Sequence, residues 1–330
     1  MKTFVTGATG FIGASIVREL LKDGREVRVL VRSSSNLANL KGLDVEICHG
    51  DLLDASGLRR ALKGCDVLYH AAADYRLWAR DAAEMYRINV GGTGAVLEAA
   101  LENNVSRVVY TSSVGTLGNP GNGQMGTEET MVSLDDMVGP YKKSKFLAER
   151  EAEKFIARGL PLVIVNPSTP VGPWDIKPTP TGKIIVDYLN RKMPAYLDTG
   201  LNLIAVEECA RGHILAEQQG LTGRKYILGN VNLSLRDIFV MLQEITGIPA
   251  PKVRLPYTPV LVAAWINEGL SRITGCEPLI PLAGVQMAAH HMYFDSERAV
   301  RELGLSQTPV TEALERAVEW FRTNGYTRNR

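Results

Sequence analysis

Cysteine is scarce in this 330-residue chain, which carries four, at positions 48, 65, 209 and 276. Their scatter provides no metal-ligand pair and no redox motif, which excludes a disulfide scaffold and suits buried thiols in a reducing compartment. Neither sign of charge prevails: 37 Lys and Arg stand against 36 Asp and Glu. That balance removes the overall field that would draw the chain to nucleic acid or to an anionic membrane, so the expected partner is a small molecule. No uninterrupted apolar run is long enough to cross a bilayer, and no basic-then-apolar leader precedes Lys2. A cytoplasmic protein is the expectation. The five histidines (49, 70, 213, 290 and 291) show no ligand spacing, and no metal is assigned. Internal repeats and low-complexity tracts are also missing.

What is present begins at the N-terminus. Thr6-Gly7-Ala8-Thr9-Gly10-Phe11-Ile12-Gly13 follows the apolar pair Phe4-Val5 and leads into an amphipathic run, Ile12, Ile16, Val17, Leu20 and Leu21, closed by Asp23-Gly24. This is a strand turning through glycines into a helix. Gly7 permits the tight turn, Gly10 lets the backbone approach a pyrophosphate, and Gly13 lets helix and strand pack closely. The free N–H groups at the helix start then face phosphates. The motif predicts a dinucleotide site.

Further along, strands are expected at 26–31, 45–48, 66–70, 107–111 and 162–165. Helices are expected at 58–62, 84–103 and 141–158. This alternation predicts an α/β fold with a doubly wound parallel sheet. Ligands in such sheets bind beyond the carboxyl ends of the strands, which here carry Gly7, Arg32, Asp51, Ala71 to Ala73, Ser112-Ser113 and Asn166-Pro167. With 45% apolar residues the chain can build two lobes. The first is placed at 1–165 as the nucleotide-binding domain, and the second at 166–330 as a smaller mixed α/β substrate lobe. Residues 203–228 are candidates to return to the first sheet. Prolines 167, 170, 173, 178 and 180 predict an extended linker or lid that cannot be a regular helix. Helices are expected at 207–219, 235–246, 296–303 and 311–322, with a short β run at 226–228.

Tyr141 and Lys145 stand four apart on a predicted helix and so share one face. A phenol titrates near ~10, but a neighbouring ammonium favours the phenolate. Tyr141 can then exchange a proton with a substrate oxygen while hydride moves to or from a nicotinamide. The preceding strand ends in Thr111-Ser112-Ser113, whose hydroxyls could bind the same oxygen.

The glycine loop, Asp51-Leu52, Ala71-Ala72, Asn89-Val90-Gly91-Gly92-Thr93, Ser112-Ser113 and Tyr141-x-x-x-Lys145 together resemble the extended short-chain dehydrogenase/reductases, the NAD-dependent epimerase/dehydratase superfamily. The likeness runs to the C-terminal Phe294-Asp295-Ser296, Leu303-Gly304 and Trp320. It implies a Rossmann fold with Ser113, Tyr141 and Lys145 as the catalytic triad. Thr6, Gly7, Thr9, Gly10, Phe11, Ile12, Gly13, Ala71, Ala72, Ala73 and Pro167 would contact the coenzyme, Asp51 and Leu52 its adenine, and Tyr141 and Lys145 its nicotinamide end. Asn89 would act either as a proton relay or as a helix lock. The likeness also implies a homodimer through the helices at 84–103 and 141–158, whose Met85, Ile88, Val96, Leu97, Phe146, Leu147 and Phe155 are read primarily as core. The second strand ends in Arg32 with Ser33-Ser34-Ser35 and no carboxylate, which predicts NADP, with NAD the alternative.

Within this superfamily the chain is most similar to the dihydroflavonol-reductase-like branch and, closer still, to hopanoid-associated sugar epimerases. The resemblance lies in residues 73–80, 166–173, 177–182 and 194–196. Nucleotide-sugar epimerases carry an arginine for the diphosphate where this chain has Leu201, and a histidine where it has Ala205. A less anionic substrate is expected unless Arg76, Lys177 or Lys183 substitutes. The segment 114–139 reads equally as a lid or as a surface loop. The apolar stretch 257–273 could shape a pocket or touch a membrane surface, but core packing is favoured. Three functions compete: a reductase, a sugar epimerase with retained coenzyme, and a coenzyme-binding sensor without chemistry.

Overall fold

The computed structural model of the chain describes residues 1–79, 81–118, 120 and 123–327. Strands run at Lys2–Thr6 (β1), Glu26–Val31 (β2), Glu46–His49 (β3), Val67–His70 (β4), Arg107–Thr111 (β5), Leu162–Pro167 (β6), Thr169–Val171 (β7), Ala195–Leu197 (β8), Gly200–Ala205 (β9), Lys225–Leu228 (β10), Val231–Ser234 (β11) and Val253–Leu255 (β12). Helices run at Phe11–Lys22 (α1), Ala55–Leu62 (α2), Ala82–Tyr86 (α3), Gly92–Glu102 (α4), Gly139–Ala157 (α5), Pro180–Leu189 (α6), Val206–Gln219 (α7), Leu235–Thr246 (α8), Tyr257–Thr274 (α9), Leu282–Met287 (α10), Glu297–Leu303 (α11) and Val310–Thr323 (α12).

Successive side chains of a strand point to opposite faces, and here both faces are apolar. Val5, Val109, Val163 and Val165 face α1 and α7. Phe4, Val108, Tyr110, Leu162 and Ile164 face α2, α4 and α5. Burial on both sides produces a seven-stranded parallel sheet in the order β10-β6-β5-β4-β1-β2-β3, a Rossmann arrangement with helices on each face. The return of the chain comes through β10, which pairs with β6, whereas Leu203 to Ala205 lie in β9 of a separate three-stranded sheet, β11-β9-β7. A third cluster, including Ile185, Phe239, Leu314 and Phe321, is the core beneath α6, α8 and α12.

Four expectations need correction. Residues 84–103 are interrupted by a π-helical turn, Arg87–Gly91, where the side chain of Asn89 turns inward to bind other segments. The proline-rich segment is only partly extended, because Pro180 opens α6: a proline suits the first helical turn, and the Thr179 hydroxyl accepts from Gly182 N to cap it. The helix expected at 58–62 begins at Ala55, capped by the Asp54 carboxylate on Gly57 N. The stretch 257–273 is not core. In α9 only Ala264 and Ser271 are buried, while Val262, Trp265, Ile266, Leu270 and Ile273 are exposed. The small residues face inward, and Asn267 receives Ile280 N, which leaves the large apolar side chains outside.

Residues 114–139 hold 3₁₀ turns at Val114–Thr116 and Leu134–Asp136 and are tied to β10 and to the segment before α11. Gly126 bridges Phe294, and Glu128 accepts from Ile227 N. Asn119, Gly121 and Asn122 of this segment, like Arg80 of the 73–80 stretch, lie outside the described residues. Among the described residues no helix is long and apolar enough to cross a membrane, and no group of His, Cys, Asp and Glu could hold a metal ion.

Candidate active site

The carboxyl ends of β1, β4, β5 and β6 converge on one edge of the sheet. Gly7 has φ +73°, and a Cβ there would lie 2.6 Å from Ala72 N and 2.7 Å from the Ala71 carbonyl carbon. At Gly13 an added Cβ would fall 2.1 Å from Gly7 O. Two glycines are therefore fixed by backbone contact. Gly10 has a different role: it caps α1 with no side-chain bond, no acidic residue occupies the first turn, and an added Cβ would meet only Gly7 O at 3.3 Å. The cradle is open, positive and free of side chains, which fits a dinucleotide pyrophosphate. The buried Ser168 hydroxyl and Asn166 Oδ1, beyond and within the end of β6, have no hydrogen-bond partner among the described residues.

The other coenzyme candidates surround this cradle. Thr6 is fully buried and its hydroxyl is engaged by His70 Nδ1 at 2.7 Å and Ala72 N at 3.4 Å, so it buttresses the turn. Thr9 O accepts from Asn39 Nδ2, and Phe11 and Ile12 start the helix half-buried. Arg32 is exposed at the end of β2 and has no carboxylate partner among the described residues. Asp51 is exposed and receives Leu53 N, while Leu52 packs toward Gly92. Ala71, Ala72 and Ala73 leave β4 half-buried, and Pro167 ends β6 in the core.

Tyr141 lies in the first turn of α5 beside Ser113; burial raises the phenol above its usual range, and the Ser113 side chain opposes the rise. Ser113 also accepts from Gly115 N at 3.0 Å. Ser112 is directed elsewhere, to the carboxylate of Glu149. One turn on, Lys145 is buried and donates to Thr111 O at 2.7 Å and to the Tyr110 hydroxyl at 3.2 Å. Burial brings its ammonium down to about 8, against the opposing influence of Glu149. The structure brings Ser113, Tyr141 and Lys145 to one place.

Sequence reasoning missed a buried polar chain behind this group. His70 bonds Thr6 and, through Nε2, Thr93 at 3.1 Å; its ring lies 5.7 Å from that of Tyr110, whose hydroxyl receives Lys145. The histidine is pulled down to about 3 by burial and by the charge of Lys145, and so stays neutral. Asn89 binds Asp74 N at 2.7 Å, Asp74 O and Ser144 Oγ, each at 2.9 Å, which locks the 73–79 loop against α5. Of the three cations considered for a diphosphate, Arg76 is clamped on Asp74, and Lys183 lies 2.6 Å from Asp187. Only Lys177 has no carboxylate partner among the described residues. Leu201 packs against the core of the second lobe.

The family model for NAD dependent epimerase/dehydratases matches residues 3–229. "Putative dihydroflavonol 4-reductase" of Synechocystis sp. is 48% identical over 98% of this chain and 96% of its own length. Sterol demethylase protein B of Methylococcus capsulatus is 34% identical over 98% and 99%. The crystal structure of gox2253 superimposes with a TM-score of 0.89 at 44% identity, covering 99% of both chains.

Proposed function

We infer the reaction from the premise that the chain belongs to the NAD dependent epimerase/dehydratase family. The proposal is an NADP-dependent reductase or dehydrogenase acting on a carbonyl or secondary alcohol of a modestly sized, partly apolar substrate. The observation that carries it is the Tyr141 phenol beside Ser113 and one turn from the buried Lys145, which donates to Thr111 O.

Gly7, Gly10 and Gly13 would hold the pyrophosphate, Arg32 the 2′-phosphate, and Lys145 the nicotinamide ribose. When bound, the coenzyme supplies or accepts the hydride. In the reducing direction the Ser113 hydroxyl donates to the substrate carbonyl oxygen and orients it. Tyr141 gives its proton to that oxygen, so the carbonyl gains hydride at carbon and a proton at oxygen. The Lys145 ammonium then stabilises the phenolate left behind. Oxidation reverses each transfer.

Arg76 and Lys183 are paired with carboxylates and Leu201 is apolar, so of the three candidate cations only Lys177 is left to face a diphosphate; a substrate without one suits this site better. The names of the two relatives, "Putative dihydroflavonol 4-reductase" and "Sterol demethylase protein B", support that class. We also propose a homodimer through the outward faces of α4 and α5, where Gly91, Gly94 and Ala95 line a shallow groove toward Glu151 and Phe155. The test is a screen of aldehydes, ketones and free or activated sugars against NADPH absorbance. Stoichiometric loss of NADPH that Tyr141→Phe abolishes supports reduction. Product inversion without net NADPH loss replaces it with epimerisation, and coenzyme binding unaccompanied by any turnover replaces it with a sensor.

A further inference from the structure

Glu149 follows Lys145 by one helical turn on α5 and is 1% exposed. A carboxylate so buried is costly unless every lone pair is met. Four groups meet it. Ser112 Oγ, at the end of β5, donates to Oε2; Thr116 Oγ1 lies 2.8 Å and Asn166 Nδ2 3.1 Å from the same oxygen; and Lys225 Nζ, from the first residue of β10, is 2.5 Å from Oε1. Three strand ends are thus gathered on one side chain.

The arrangement leads to Ser113. The two hydrogens of the Asn166 amide span two acceptors, Glu149 Oε2 and the Ser113 carbonyl at 3.0 Å. The Thr116 hydroxyl lies 2.8 Å from that carbonyl as well. On its N-terminal side Ser113 adjoins Ser112, which Glu149 also holds. The backbone of Ser113 is therefore fixed before and after its α-carbon by groups anchored on one carboxylate. Its side chain accepts from Gly115 N and lies beside the Tyr141 phenol.

We propose that Glu149 is a positioning residue: through Ser112, Thr116 and Asn166 it clamps the Ser113 backbone and so delivers the Ser113 hydroxyl to Tyr141. This rests on the reading that Ser113, Tyr141 and Lys145 carry the chemistry. It also assigns a task to β10, which brings in the counter-ion Lys225 from 76 residues beyond Glu149.

The charged and titratable groups facing Glu149 are Lys225 from β10, Lys145 from its own helix and Tyr110 from β5; Glu153 shares Lys225 at 3.1 Å. The readout is the ionisation of Tyr141 in the oxidised-coenzyme complex, followed as phenolate absorbance and corrected by subtracting Tyr141→Phe. It needs no substrate. Glu149→Gln keeps the shape and removes the charge, and it should raise the Tyr141 midpoint by roughly one unit, a tenfold loss of phenolate at fixed pH. Ser113→Ala should do the same, and the double variant should shift no further than Ser113→Ala alone, because both act through one hydroxyl. Thr116→Val, which leaves Glu149 in place, should move the midpoint in the same direction by less, and it serves if Glu149→Gln fails to fold. An unmoved midpoint in folded Glu149→Gln, or in Thr116→Val where only that variant folds, overturns the proposal. So does a full additional shift from Glu149→Gln in the Ser113→Ala background. If Ser113→Ala itself leaves Tyr141 unmoved, the reading of the active site fails instead.

Discussion

Lowering the pH from 7.5 to 5.0 should weaken this fold through two histidines remote from solvent. His70 and His213 are buried, and burial pulls their imidazoles from 6.5 to about 3 and about 4. Lys145 adds to the depression of His70, whereas the bond from His213 to Cys209 O opposes it. Below 6.5 the unfolded chain takes up protons that the native imidazoles refuse, so stability falls with pH until the native values are reached. At pH 5.0 linkage gives a loss of about 2 kcal/mol for each histidine. Asp175 acts with the opposite sign. Burial raises its carboxyl from 3.8 to about 6, so the folded state is protonated first and gains about 1.4 kcal/mol over the same interval. A net loss of roughly 2 to 3 kcal/mol remains. Guanidinium unfolding at the two pH values measures it in the wild type, His70→Gln and Asp175→Asn. His70→Gln should shrink the pH difference by about 2 kcal/mol whatever its absolute stability, and Asp175→Asn should widen it. An identical pH difference in wild type and His70→Gln would refute the reasoning.

Gly13→Ala places a methyl group against Gly7 O, and should cost about 1 to 3 kcal/mol and weaken coenzyme binding at least tenfold by fluorescence titration. Gly269→Ala on α9, where an added Cβ meets nothing within 4 Å, is the control and should be neutral or slightly stabilising. Arg32→Ala should raise the dissociation constant for NADPH roughly 10- to 100-fold and leave that for NADH nearly unchanged, and equal weakening of both would remove the assignment of this arginine. Asn89→Ala strips partners from Asp74 and Ser144 and should cost about 2 to 3 kcal/mol in denaturant unfolding.

The large sheet was legible because its strands are short apolar runs separated by helical periodicity, and because Gly7, Gly10 and Gly13 have one geometric use between a strand and a helix. A strand end followed by a helix start placed Ser112-Ser113 near Tyr141 and Lys145, and the choice of Ser113 came from the family likeness. What escaped depends on distant pairing. No local pattern joins Glu149 to Lys225, or His70 to Thr93 and Tyr110, because those contacts exist only once β4, β5, β6 and β10 are assembled in one sheet. The π turn at Arg87–Gly91 escaped because the partners of its Asn89, Asp74 and Ser144, lie on other segments. In α9 the apolar content was plain, but periodicity alone cannot say which face packs when the inward side is built from Ala264 and Ser271.

The last strand of the large sheet, Lys225–Leu228, is made about sixty residues after its neighbour Leu162–Pro167. A fragment ending at residue 165 would therefore end within that neighbour and leave it as a bare edge, with unpaired N–H and C=O groups and Val163 and Val165 stripped of cover, a template for association. The large sheet is therefore complete only once residue 228 has been made, and a cut after residue 165 removes both its last strand and the α7 cover of β6.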